Sequence, residues 1–156
     1  MVLLDTPRTT TPHMFRFADM ERFFSLEAEE FRAPVRFGGR RARDLVEVAG
    51  LQGLGVFHLD GARMSSQSGL FEEFSASLQF PDYFGSNWNA LDECLADLDW
   101  LDFPGYLLVI DSGDSVLRDE GVEVRGVFDT LLEGISREWA NSPPGIVFRT
   151  IFVIGE

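Results

Sequence analysis

FPDYFGSNWNALDECLADLDWLD, residues 80–102, decides the fold, because it joins a tight turn to an amphipathic helix with a strongly acidic outer face. Advancing about 100° per residue from Asn89, Trp88, Leu91, Cys94, Leu95 and Leu98 fall on one stripe. Asn89, Asp92, Glu93, Ala96 and Trp100 fall on the opposite side. An apolar stripe opposed to a polar one marks a helix laid on a core. Asn87 is its natural N-cap, since a side-chain oxygen there accepts from a first-turn N–H that has no helical partner. Upstream, Pro81 fixes one φ and Gly85 supplies a permissive one, so residues 81–86 read as a turn that holds Asp82 and Tyr83 beside the helix start. The stretch carries six acids and no base. Any single acid is ordinary on a solvated face, but an uncompensated set interleaved with aromatic rings suits a positively charged partner.

The charge of the whole chain is distributed in the same sense. Of 156 residues, 13 are Lys or Arg, all of them Arg, and 26 are Asp or Glu, for a net charge of −13. Residues 1–50 sum to zero, so the entire imbalance belongs to residues 51–156, and no base occurs between Arg63 and Arg118. Such a surface repels nucleic acid and anionic membranes and steers cationic proteins toward itself. The single cysteine, Cys94, excludes an internal disulfide, and its place on the apolar stripe makes it a small buried hydrophobe. No apolar run is long enough to cross a bilayer, and the opening MVLLDTPRTTTP lacks the basic end and apolar run of a signal peptide, so a cytoplasmic chain is expected.

Working outward, Val56–Leu59 reads as a strand ending at Asp60-Gly61, and Ser68 caps a helix running to Leu78 with Leu70, Phe71, Phe74 and Leu78 inward. Tyr106–Ile110 is almost wholly apolar, as expected of a strand covered on both faces. Gly121–Trp139 is a long helix with Val124, Val127, Phe128, Leu131, Leu132 and Ile135 inward, stopped by two prolines, and Ile146–Ile154 is the last strand. Alternating strands and helices imply an α/β fold, a small three-stranded parallel sheet packed with helices. Residues 51–156 are the expected domain and residues 1–50 an N-terminal extension: a Thr- and Pro-rich tail at 6–12, a short helix within Phe15–Phe31, and a hairpin of Val35–Phe37 with Leu45–Val48 across Gly38, Gly39 and an Arg cluster.

The residues for catalysis are sparse. His13 and His58 have no Ser, Cys or acid at catalytic or metal spacing, no phosphate-binding glycine loop occurs, and His58 reads as a strand residue. Asp92 with Glu93, or Asp97 with Asp99, offers Mg²⁺ only helical carboxylates without a third ligand. No cofactor, no metal and no enzymatic activity are expected, which leaves a metal-dependent hydrolase as the weaker alternative. A regulatory or scaffolding module is the other, favoured by Arg32, Arg36, Arg40, Arg41 and Arg43, which follow one another without an intervening acid. The ordinary reading of that run is a solvated loop.

PDYFGSNWNALDECL, followed by an aromatic, a proline and an apolar strand, resembles the barstar family, the intracellular inhibitors of the bacterial ribonuclease barnase. The resemblance spans about residues 54–154 and is most specific in the proline, aromatic pair, glycine and asparagine with the Leu91, Cys94 and Leu95 spacing after them. It implies a binding protein, an inhibitor or immunity protein that inserts an acidic helix and its preceding loop into the basic cleft of a ribonuclease or nuclease toxin. By position, Tyr83 matches the loop tyrosine that packs on the enzyme and Glu93 the helix aspartate that reaches its catalytic centre. The chain departs from the family at Asn89, where an aspartate is usual, at Asp92 for an interface tryptophan, at Ala96 for a threonine, and near Thr130 for an acid on the late helix. The expected contact surface is Asp82, Tyr83, Asn89, Asp92, Glu93, Asp97 and Trp100.

Overall fold

The structure, a computed structural model, describes residues 17–155. In chain order its elements are α1 (Phe17–Phe23), a 3-10 turn (Glu29–Phe31), β1 (Val35–Phe37), α2 (Gly39–Leu51), β2 (Gly55–Asp60), α3 (Gln67–Leu78), α4 (Trp88–Asp97), β3 (Gly105–Asp111), α5 (Val122–Asn141) and β4 (Val147–Val153). The sheet has four strands, in the order β1-β4-β3-β2, and every pair is parallel.

The fourth strand corrects the expectation of three. Val35–Phe37 does not form a hairpin with Leu45–Val48; it runs beside β4, with Val35 opposite Ile151 and Phe37 opposite Val153. Leu45–Val48 lies inside α2, where Ala42, Leu45, Val48 and Ala49 make one buried stripe at helical spacing. Because this stretch coils into a helix, the edge of Val35–Phe37 is free to pair with the end of the sheet.

β3 is buried along Gly105–Ile110, since both faces of the sheet are covered. On one face Tyr106, Leu108, Ile110, Phe148 and Phe152 pack with Leu70 and Phe74 of α3, Leu91 and Leu95 of α4, and Phe128 and Ile135 of α5. On the other face Leu107, Val109, Val147 and Ile151 pack with Phe23, Phe24, Leu45, Val48 and Ala49. The two sets alternate along β3, as the period of two of an extended chain requires.

Smaller differences have local causes. The cap of α3 is Ser66, whose hydroxyl accepts from the Gly69 N–H at 3.2 Å, and Ser68 sits in the first turn. The helix expected within Phe15–Phe31 is reduced to α1 and the 3-10 turn; Phe15, the tail at 6–12 and His13 lie outside the described residues. Val127 is 46% exposed and is not an inward residue of α5, whereas Val124 and Leu131 rest half-buried on the core.

Candidate functional site: an acidic helix and its loop

The acidic helix is fastened at both ends. Asn87 is extended, and its side-chain oxygen accepts from the Ala90 N–H at 2.8 Å, while its amide donates to the Gly85 carbonyl at 3.2 Å. At the other end Leu98 adopts a left-handed conformation, φ 47°, and its N–H donates to the Cys94 carbonyl. A branched residue is unfavourable there, and burial of its side chain to 1% exposure offsets the cost. In the turn before the helix the Phe84 N–H donates to the Pro81 carbonyl at 3.0 Å. The positive φ belongs to Ser86, at 54°, and not to Gly85 as expected.

Leu91, Cys94 and Leu95 are buried, and Trp88 is half-buried against Phe71 and Phe128, with ring centroids 5.0 and 6.1 Å away. The opposite side exposes Asn89, Asp92, Glu93 and Asp97, and Asp82 stands exposed in the loop. Tyr83 is 74% exposed, far more than an aromatic ring with a place in the core. Tyr83, Phe84, Ala90, Glu93, Cys94 and Asp97 enclose a hollow of about 200 Å³ between loop and helix. Asn89 and Asp92 lie outside it on the helix. Among the described residues, none of Asp82, Asp92, Glu93 and Asp97 forms an ion pair; the pairs present, Arg22–Glu30, Arg63–Asp60 and Arg137–Glu133, are elsewhere.

The field of these acids reaches their neighbours. Desolvation first, then Asp97, Cys94, Asp99 and Glu93 in that order, raises the Tyr83 phenol above its ordinary pKa. Desolvation, then Asp97 and Glu93, raises the Cys94 thiol. Both groups are therefore neutral at physiological pH, and the hollow is an apolar floor under a negative rim.

Trp100 departs from its expected place. The helix ends at Asp97, so a helical projection no longer applies, and the indole turns in: its N–H donates to the Leu78 carbonyl at 2.9 Å and its ring meets Phe80 edge-on at 5.9 Å. Ala96 is likewise half-buried on the core. Sequence reasoning missed Gln67 and Glu120, which hold the start of α4. The Trp88 indole N–H donates to Gln67 Oε1 at 2.7 Å, and the Gln67 backbone N–H donates to Glu120 Oε2 at 3.0 Å. No local pattern announces bonds across such sequence separations.

The Arg run is divided between environments. Arg36 lies 4.8 Å over the Phe152 ring and Arg41 5.0 Å over the Phe37 ring. A larger cavity, about 520 Å³, lies beside α2 with Arg43, Glu47, His58 and Asp111 on its wall, away from the acidic helix. Among the described residues no group of three or more His, Cys, Asp and Glu converges to hold a metal ion, and no helix is long and apolar enough to cross a membrane.

A capped acidic helix and an exposed aromatic loop, carried on a parallel sheet, define a protein built to present a negative surface. A family model described as barstar (barnase inhibitor) matches residues 54–151, and the chain belongs to the barstar family. No curated protein matches it.

Proposed function

We propose that the chain is an inhibitor or immunity protein that binds and occludes the positively charged active site of a bacterial ribonuclease or nuclease toxin. The observation that carries this reading is the set of exposed acids around Tyr83 and α4, none of them compensated by a base among the described residues. Unpaired like charges held on one face repel each other and are relieved by a positive surface. A nuclease cleft is such a surface because it binds phosphates. The family is described as one of barnase inhibitors, which agrees in kind.

In this reading Glu93 is the central charge, Tyr83 the apolar anchor and Asp92 a second charge. Asn89 donates and accepts hydrogen bonds without charge, Asp82 and Asp97 form the rim, and Trp100 supports the face from behind. The changed chemistry at Asn89, Asp92 and Ala96 selects a nuclease other than barnase, since specificity is a difference between affinities. Steering by opposite charge quickens association at low salt; barnase with barstar is the standing example, so its magnitude is borrowed and not predicted. The protein acts in the cytoplasm by blocking a site, without chemistry, cofactor or direct contact with nucleic acid.

The test is capture from a lysate of the source cells on immobilised protein, with Glu93→Ala as control, followed by nuclease assay of the denatured and refolded eluate. A nuclease retained by the unaltered protein and lost by the control is the expected result. Equal retention by both, or a partner without nuclease activity, overturns the reading.

A further inference from the structure

We propose that residues 17–51 are an obligate second layer of one cooperative unit, strapped to the sheet by Arg149, so that release of the strap and loss of the acidic helix are one event. Arg149 stands in the middle of β4, an otherwise uncharged strand, and is 1% exposed. Among the described residues no carboxylate bonds to it. Its Nε donates to the Phe23 carbonyl at 2.6 Å, and Nη2 donates to the carbonyls of Ser25 at 2.7 Å and Ala28 at 3.3 Å. Its Nη1 donates to Ser136 Oγ at 3.1 Å, and that hydroxyl donates to the Phe148 carbonyl at 2.6 Å. Three of the four acceptors thus come from residues 23–28, the end of α1 and the stretch that leads to the 3-10 turn. A planar fork of five N–H donors satisfies such a spread of acceptors, and an ammonium point charge does not.

The strap is the solvation shell of this charge. Burial, followed by repulsion from Arg32, lowers the Arg149 pKa to about 10, with Glu30 acting in the other direction. Withdrawing residues 23–28 strips the guanidinium of three of its four hydrogen-bond acceptors and leaves only the Ser136 hydroxyl. Withdrawing the whole of residues 17–51 uncovers Leu107, Val109, Val147 and Ile151, on which Phe23, Phe24, Leu45, Val48 and Ala49 pack. The family-matched stretch, 54–151, contains the charge but not the three carbonyls that satisfy it. The acidic helix rests on the other face of the same strands, so a protease or partner that removes the strap dismantles the binding face. This holds whatever protein that face recognises.

Native-state hydrogen exchange on the full chain tests the proposal without any variant. The slowest amides of α2, around 45–49, are expected to share one opening equilibrium with those of β3 and α4. Exchange of α2 through a separate opening at least about tenfold more frequent overturns it. Arg149→Lys, which keeps the charge but not the fork, is expected to reduce protection in α2, β3 and α4 together by about tenfold or more, the equivalent of one lost charged hydrogen bond. Loss confined to residues 17–31 with α4 unchanged contradicts the coupling. Failure of the variant to fold agrees with it, and the wild-type measurement still decides.

Discussion

Replacing Asn87 by Ala probes how the acidic face is held in place. The substitution removes the acceptor for the Ala90 N–H at 2.8 Å and the donor to the Gly85 carbonyl at 3.2 Å, and leaves the buried residues of α4 untouched. A lost N-cap of this kind costs about 1 kcal/mol, which for a chain of this size lowers Tm by about 2–4 °C. The helix has 10 residues and is too short to stand without packing and caps. Asn87→Asp keeps the accepting oxygen and places a negative charge where the helix dipole favours one. Gly at a cap costs only about a few tenths of a kcal/mol. Thermal unfolding followed by circular dichroism is therefore expected to rank wild type near Asp, Gly slightly below, and Ala lowest. An Ala variant that melts with the wild type would refute the cap as an anchor. Equal losses in Ala, Gly and Asp would assign the effect to the Gly85 contact instead.

Replacing Glu93 or Tyr83 by Ala is expected to weaken binding to a captured nuclease by about 2 kcal/mol or more each, as central interface residues do, while Tm moves little because both side chains are exposed; matched losses of binding and Tm contradict this. Asp129 is half-buried, and burial raises its pKa against the opposing pull of Arg36 and Arg125. The folded state thus holds the proton more tightly than the unfolded chain, and stability falls as pH rises from below the ordinary carboxylate range through the raised pKa. Asp129→Asn is accordingly expected to raise Tm at pH 7, with the difference from wild type shrinking toward pH 3; a gain independent of pH, or a loss at pH 7, refutes the assignment. Cys94, 4% exposed and with its thiol pKa raised, is expected to react with a disulfide reagent far more slowly in the native protein than in denaturant. Equal rates would mean that the hollow opens to its floor.

What the sequence made legible follows from how local each signal is. The stripe Leu91, Cys94 and Leu95, the Asn87 cap and the apolar run of β3 are statements about neighbours in the chain, and the structure places them as expected. Val35–Phe37 is legible as an extended piece and is a strand, but its place in the sheet is not, because three residues gain their partner only from pairing with β4. Val46 and Val48 suggested an extended piece, while two members of the true helical stripe, Ala42 and Ala49, carry little hydrophobic weight. Trp100 misled because the projection was continued past the turn at Leu98. Arg149 could not be read at all, since three of its four partners lie more than a hundred residues earlier in the chain. Of the candidate site, the exposure of the acids and Tyr83 was readable; the hollow and the Gln67 support required the third dimension.

The most direct measurement is an inhibition titration of the captured nuclease with the full chain at several substrate concentrations. The account predicts that activity falls to zero at one equivalent, that rising substrate competes with inhibition, and that Glu93→Ala shifts the curve strongly to the right. Tight binding that leaves activity intact, or inhibition indifferent to substrate and to Glu93, would contradict occlusion of the active site by the acidic helix.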